Sequence, residues 1–588
     1  MLKQVQHDGR IWVIGLALSL TACASVPAPS PAAAPALAAA PAQPQPVEVQ
    51  ILAINDFHGN LEAPRLSIEA GTPEASVRVP AGGVAHLAAA AKALRSGQAH
   101  SVTLSAGDMI GGSPLVSALF LDEPTIRAMD LVGVEYNAVG NHEFDKGWRE
   151  LQRMQAGGCE AYTTKQPCKL EPFPGARFKF LAANVIMPGG GTLFPGTAIK
   201  DFGPVQLGIV GMTLTETKTL VTPSGVEGLT FADEAATANA AVPALKAAGA
   251  DAIVLLIHQG GNSSGGYNGC ADLSGEIMPI IDKLDPAIDL VISGHTHQSY
   301  ICEVSRPGRE RPLLLTSASS LGRLITDIRL TFAPDGTLQG QRAQNVIVQG
   351  EGYSLGGTTV APVASFPIFS ADPEVKALVD RYVAAAKPEA ARVVGTLTGT
   401  ATKQENDARE HSAGLLVADA QLAAGRKYGA VAAFMNTGGV RTDLVPAADG
   451  SITFGQVFAV QPFGNSIVVK TLTGAQLKTL LEQQFQAERP KMLMPSRGFF
   501  FSYDLSRPYG NRIVDMRLNG RRIDPKARYR IAINNFLASG GDGFAILAEG
   551  TDPADAGLDT DALEALLKAG AKVPELGRIR NLGPKPAS

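Results

Sequence analysis

The chain has 588 residues, 45% of them apolar and 18% charged, with a formal net charge of −4. That length exceeds what one hydrophobic core supports, so two or more domains are expected, and the composition excludes a disordered chain. With no basic run or stripe, the charge pattern excludes a nucleic-acid polymer as partner, because binding a phosphate backbone needs clustered Lys and Arg.

Lys3 and Arg10 precede an apolar run from Ile11 to Leu20 that is too short to span a bilayer as a permanent helix. The run ends in Leu20-Thr21-Ala22-Cys23, which resembles a bacterial lipoprotein cleavage site. The expectation is a signal peptide over 1–22 and an exported protein, anchored on the periplasmic side of a membrane through lipid on Cys23. Ala24 and Ser25 lack the Asp that favours inner-membrane retention in some bacteria, so the outer membrane is favoured. Residues 23–46, almost wholly Ala and Pro, read as a tether. Cys159, Cys168, Cys270 and Cys302 remain, an even number that suits two disulfides in an exported chain. Sequence proximity favours 159–168 and 270–302 among the three pairings that four cysteines allow.

From 47 to 348, apolar strand-like runs alternate with helical patterns over 83–95, 114–131, 233–248 and 276–284, which predicts a layered α/β domain. A linker over 349–392 begins rich in Gly, Thr and Pro, then carries a helix starting at Asp372-Pro373 and continuing to about 386, where Lys387-Pro388 stops it. A second, smaller α+β domain covers 393–588. Its predicted strands lie over 430–434, 466–471, 499–503 and 529–534, and its predicted helices over 413–425, 474–484 and 561–569.

Five apolar runs of the first domain each end in a metal-ligand type of residue. They lead into Asp56 and His58, into Asp108, into Asn141, into His258, and into His295 and His297. In an α/β sheet, ligands bind in the crevice at the carboxyl ends of strands, so these motifs are expected to converge. Two metals about 4 Å apart clamp a phosphoryl group and activate a water. Asp108 is the natural bridging carboxylate, Asn141 supplies a neutral oxygen, and the other five residues complete two coordination spheres. This mixed nitrogen and oxygen ligation suits Zn, Mn, Fe or Co. The chain has nine His, and five of them, counting His142 directly after Asn141, fall in these motifs, which weakens the alternative of scattered structural histidines. His142 and Asp145 differ from the ligands. Their three-residue spacing lets the carboxylate orient the imidazole, which can then stabilise transition-state charge or protonate a leaving alkoxide. Asn55 and Glu143 read as scaffold.

Asn-Asp-Phe-His-Gly-Asn at 55–60, Gly-Asp at 107–108, Gly-Asn-His-Glu-Phe-Asp at 140–145 and Gly-His-Thr-His at 294–297 together resemble the calcineurin-like metallophosphoesterases. The Asp-Phe-His-Gly and Glu-Phe-Asp details are similar to the 5′-nucleotidase branch. The resemblance implies a four-layer β-sandwich flanked by helices, two divalent metal ions, and phosphoester hydrolysis.

In the second domain, Asn436-Thr437-Gly438-Gly439-Val440-Arg441 and Gln461-Pro462-Phe463-Gly464-Asn465 each follow a strand. A third segment, 535–544, carries Phe536 and Asp542 around a Gly-rich turn. A Gly-rich turn lets a ligand approach the backbone closely. Two Phe rings can sandwich a nucleobase, Asp542 can accept from a ribose diol, and Arg441 can pair with phosphate. Taken alone, each Phe also fits a core position, and the glycines fit a plain turn. These segments resemble the C-terminal substrate domain of 5′-nucleotidases, which implies that Asn436, Gly439, Arg441, Phe463, Phe536 and Asp542 hold a nucleoside. One departure stands out. Asp407 occupies the position of a phosphate-binding Arg in relatives, and Arg409, two residues on, either replaces it or is a solvated charge. The expected reaction is hydrolysis of a nucleoside 5′-monophosphate. Cyclic nucleotides, UDP-sugars or thiohydrolysis are the alternatives within the fold, a non-catalytic nucleotide-binding lipoprotein is the alternative outside it, and no protein partner is expected.

Overall fold

The computed structural model describes residues 45–583 apart from 72–74, 164, 309–310, 356–357 and 487–489. The expected signal and lipid-anchor segment, Cys23 included, lies outside the described residues. Among those described, two six-stranded sheets stack face to face in the first half. One contains, in spatial order, Leu338–Ile347, Leu324–Phe332, Val47–Ile54, Ser101–Ser105, Tyr136–Ala138 and Lys179–Leu181. The other contains Ser299–Val304, Leu313–Ala318, Ile288–Ser293, Ala252–His258, Gln206–Thr213 and Thr197–Asp201.

Successive side chains on a strand point to opposite faces, so each central strand serves two cores. Val49, Ile51 and Ala53 meet Val254, Leu256, Leu290 and Ile292 between the sheets. Leu52 and Ile54 turn outward to the helices Val84–Arg95 and Glu123–Val132. On the other sheet, Ile253, Leu255 and Ile257 turn outward to Glu234–Ala247 and Ile277–Ile281. The result is the expected four-layer sandwich. It explains why these strands read as unbroken apolar runs rather than as alternating ones. Val47–Ile54, Ser101–Ser105 and Tyr136–Ala138 run parallel, as do Gln206–Thr213, Ala252–His258 and Ile288–Ser293. Both disulfides, Cys159–Cys168 and Cys270–Cys302, are formed.

Two elements depart from expectation. The helix expected over 114–131 is two helices, Leu115–Ala118 and Glu123–Val132. Leu121 and Asp122 between them adopt positive φ of 57° and 66°, and Ser117 Oγ donates to Asp122 Oδ1 at 2.7 Å. Pro124 then opens the second helix, a position where its missing N–H costs nothing. The linker helix runs Pro373–Ala390 and does not stop at Pro388. Its Val375, Leu378, Val379, Tyr382 and Ala386 are buried in the first core, and Ala390 packs beside Phe454 against Leu115, Ala118 and Phe458. That burial outweighs the single hydrogen bond Pro388 cannot make.

The second half has its own core, from Val394 to Ile579. A five-stranded sheet orders Leu493–Pro495, Ala432–Asn436, Arg528–Asn534, Ser466–Thr473 and Thr551–Leu558, and helix Ser412–Gly425 packs against it. Leu256→Ala is expected to destabilise the sandwich by about 2–5 kcal/mol in urea denaturation, the range for truncating a buried Leu. A loss of about 0.5 kcal/mol, as at surface positions, would contradict the assignment of this layer as core.

Candidate active site

All seven expected ligands gather where the parallel strands of the two sheets end. Asp56, His58, Asp108, His295 and His297 all have positive φ, of 49°, 49°, 49°, 71° and 57°. Non-glycine residues seldom take this conformation, and it persists only where the surroundings impose it. Gly107 has φ of 90°, and a Cβ there would lie 2.6 Å from His258 Nδ1, so only glycine lets the two motifs close up.

Asp108 stands at the centre. Its Oδ2 lies 3.7 Å from His58 Nε2 and 3.0 Å from His258 Nε2. On one side, His58 Nε2 is 3.1 Å from His297 Nε2, which is 3.5 Å from Asp56 Oδ1. On the other, Asn141 Oδ1 is 3.1 Å from His295 Nδ1. The sets Asp56, His58, His297 and Asp108, His258, His295 each bring their ligand atoms within 4.8 Å of one another. Asp108 belongs to one set and borders the other, which is the place of a bridging ligand.

The donor set fits divalent metal. His58 Nδ1 sits 2.9 Å from Gly111 O and His258 Nδ1 2.8 Å from Ala106 O. With the proton on Nδ1 for those carbonyls, each Nε2 keeps its lone pair for a cation. The buried His258 Nε2 points at Asp108 Oδ2, and against the effect of burial that charge pushes this imidazole up to about 10. Burial holds His58 well below the usual imidazole range and pushes His295 and His297 down to about 3. All three are therefore neutral ligands at physiological pH. Burial also pushes Asp56 up to about 7, with Asp108 adding to it.

His142 behaves differently. Burial opposes its protonation, but Asp145 Oδ2 at 2.9 Å and the charge of Asp108 hold the imidazole above its ordinary range. Its backbone N–H donates to Asp108 Oδ1 at 2.8 Å. The two residues set aside as scaffold occupy that role. Glu143 accepts from the backbone N–H groups of Gly140, Asp108 and Met109 at 2.7, 2.9 and 2.8 Å. Asn55 donates to Asp56 Oδ2 at 2.6 Å and accepts from Ala318 N at 2.7 Å.

The second half closes over this cluster. Asn141, His142, Asp145 and His295 line one cleft with Asn436, Gly439, Arg441, Phe463, Phe536 and Asp542. Phe463 stacks on His142, centroids 5.7 Å apart and rings inclined by 14°, and Arg441 Cζ lies 5.6 Å from the Phe463 centroid. Asn436 Nδ2 donates to Asp542 Oδ2 at 2.7 Å. Arg409 is the exception among the expected substrate residues, because it does not line this cleft.

The profile of the calcineurin-like phosphoesterases matches residues 49–299, and that of the 5′-nucleotidase C-terminal domain matches 393–549. The chain belongs to the family that joins these two domains. A cell wall protein of Listeria monocytogenes is 31% identical over 84% of the chain, and an endonuclease of Bacillus subtilis is 29% identical over 83% of it. The chain spans 64% and 37% of the lengths of these two relatives. Among solved structures, a 5′-nucleotidase precursor from Thermus thermophilus superposes with a TM-score of 0.71 at 26% identity, covering 91% of this chain and 99% of that one.

Within this cleft, motif reading missed Leu220, Val221, Thr222, Asn465 and Asn534, which also line it. Asn465 and Asn534 were within reach, one in the Phe463 motif and the other two residues before Phe536. Residues 220–222 belong to no motif. Glu143→Ala, which frees the Asp108 backbone, is expected to weaken metal binding about 10- to 100-fold, as for other partners that orient ligands. Calorimetric titration with Mn or Zn checks this, and unchanged affinity would remove Glu143 from the frame.

Proposed function

We propose that the chain hydrolyses nucleotide phosphoesters, releasing phosphate from nucleoside 5′-monophosphates. The proposed cofactors are two divalent metal ions held by Asp56, His58, Asp108, Asn141, His258, His295 and His297. One observation carries this reading: a single cleft in which His142 and Asn141 face Arg441, Phe463, Phe536 and Asp542. When bound, the ions would supply an activated water and neutralise phosphoryl charge.

The chain's own residues account for selection and proton transfer. Arg441 pairs with phosphate oxygens, a match its planar fork suits. Phe463 and Phe536 offer aromatic faces to a base, and any base presents a face to stack. Asp542, steadied by Asn436, accepts hydrogen bonds from the ribose diol. His142 holds a proton by virtue of Asp145 and delivers it to the leaving ribose oxygen. Arg409 has no place in this scheme, because it lies outside the cleft lining. The reading extends to location: a protein exported and lipid-anchored through Cys23, supported by the apolar run before Cys23 and by two disulfides, which suit an oxidising compartment.

The test is phosphate release from a panel of nucleotides after chelation and re-addition of single metals. Activity is expected to vanish with EDTA and return with a transition metal. His142→Ala is expected to lower kcat about 10²- to 10⁴-fold, the contribution of a general acid, with metal content unchanged. Full activity in that variant would remove His142 from the mechanism, and no release from any nucleotide would overturn the function.

A further inference from the structure

One loop carries Phe536 and Asp542 of the cleft, and that loop is closed by a residue outside the cleft lining. Phe536 and Asp542 lie between the strands Arg528–Asn534 and Thr551–Leu558. These strands flank Ser466–Thr473 on either side in the sheet. Lys470 sits in the middle of that central strand and is only 8% exposed. Its ammonium donates to Ala538 O at 3.1 Å, Leu547 O at 2.7 Å and Ala548 O at 3.2 Å. An ammonium has three protons, and all three go to carbonyls on the two ends of the same loop.

The Lys470 stem is also engaged, since a Cβ at Gly550 would lie 3.1 Å from its Cβ and Cε. Between the two anchored ends, the loop is tightly fitted. A Cβ at Gly541 would come within 2.5 Å of the Phe536 ring, so the ring rests on that backbone. Asp542 has a positive φ of 57°, a conformation that needs support from its surroundings. Asn436 provides part of that support by its hydrogen bond to Asp542, and Asn534 donates to Asn436 Oδ1 at 3.0 Å. The carbonyls that Lys470 takes include Ala538 O, at the end of a short helix where carbonyls lack partners and a cation is favourable. Burying an ammonium on carbonyls alone is costly unless every donor is satisfied. No ion pair among the described residues involves Lys470.

We propose that Lys470 is a positioning residue for nucleoside recognition: it staples the loop 538–548 so that Phe536 and Asp542 meet the base and ribose, and it takes no part in phosphate chemistry. The proposal rests on the nucleotide reading of the cleft. It implies that selectivity for the nucleoside can be separated from hydrolysis by a single buried change.

The test compares a nucleoside 5′-monophosphate with methyl phosphate, which lacks both base and ribose, in Lys470→Met and Phe536→Ala. Lys470→Met keeps the stem and removes the donors. Its KM for the nucleotide is expected to rise about tenfold, within the range for losing one base stack. Its kcat/KM for methyl phosphate is expected to stay within about twofold of wild type, because phosphate binding and chemistry are untouched. Amide hydrogen exchange should quicken in residues 539–546 and stay unchanged at the metal-site loops. Lys470→Gln, which keeps two donors, carries the same comparison if the Met variant does not fold.

Equal losses on both substrates would overturn the proposal, as would an unchanged nucleotide KM in Lys470→Met alongside a raised one in Phe536→Ala. An unchanged nucleotide KM in Phe536→Ala would instead overturn the underlying reading of the clamp, and the proposal with it.

Discussion

Two carboxylates, Asp56 and Asp108, are buried side by side at the ends of adjacent parallel strands, and the first domain is organised around making that tolerable. A buried charge is costly unless it is paired and hydrogen-bonded. Here the imidazoles of His58, His258 and His297 stand within 4 Å of the carboxylate oxygens. His58 and His258 are tied by Nδ1 to backbone carbonyls. The arrangement leaves concentrated negative charge and free Nε2 lone pairs facing one another, a place that calls for cations. Five of the seven expected ligands sit in left-handed backbone, so the chain holds strain at the site that the packed sandwich beneath it must support.

The same constraint explains the division of labour between the halves. A metal cluster alone recognises phosphate but not what the phosphate is attached to. Arg441, Phe463, Phe536 and Asp542 come from a separate core and reach the cluster from above, with Phe463 stacked on His142. On the proposed reading, chemistry is fixed to the strand ends of one core and recognition to the loops of another. A helix that begins in the linker but is buried in the first core joins them. The contacts of Leu115, Ala118, Ala390 and Phe458 set the spacing between the two.

Most of this was legible in the sequence, for definable reasons. Strand ends announce themselves when an apolar run meets Asp, Asn or His, and parallel topology does the rest. Hence Asp56, His58, Asp108, Asn141, His258, His295 and His297 could be gathered without coordinates. The scaffold role of Glu143 was readable from its place beside His142, whereas its backbone partners were not. What the sequence concealed depends on tertiary competition. Pro388 reads as a stop, yet burial of Ala386 and packing of the partly buried Ala390 carry the helix through it. The 114–131 segment reads as one helix because the breaking residues, Leu121 and Asp122, are ordinary helix formers locally and are turned by contacts with Ser117. Arg409 read equally as a replacement phosphate ligand or a solvated charge, because charge type and distance in sequence say nothing of direction. Lys470 gave no signal at all, because a lone Lys in a strand acquires meaning only from the three carbonyls that surround it.

On the proposed reading Asp108 would serve both of two metal ions, and stoichiometric metal binding tests this most directly. Apoprotein titrated with Mn or Zn and analysed for bound metal is expected to hold two ions per chain, and Asp108→Ala to hold at most one while remaining folded. A wild-type chain that saturates with a single ion, or an Asp108→Ala variant that still holds two, would contradict the account.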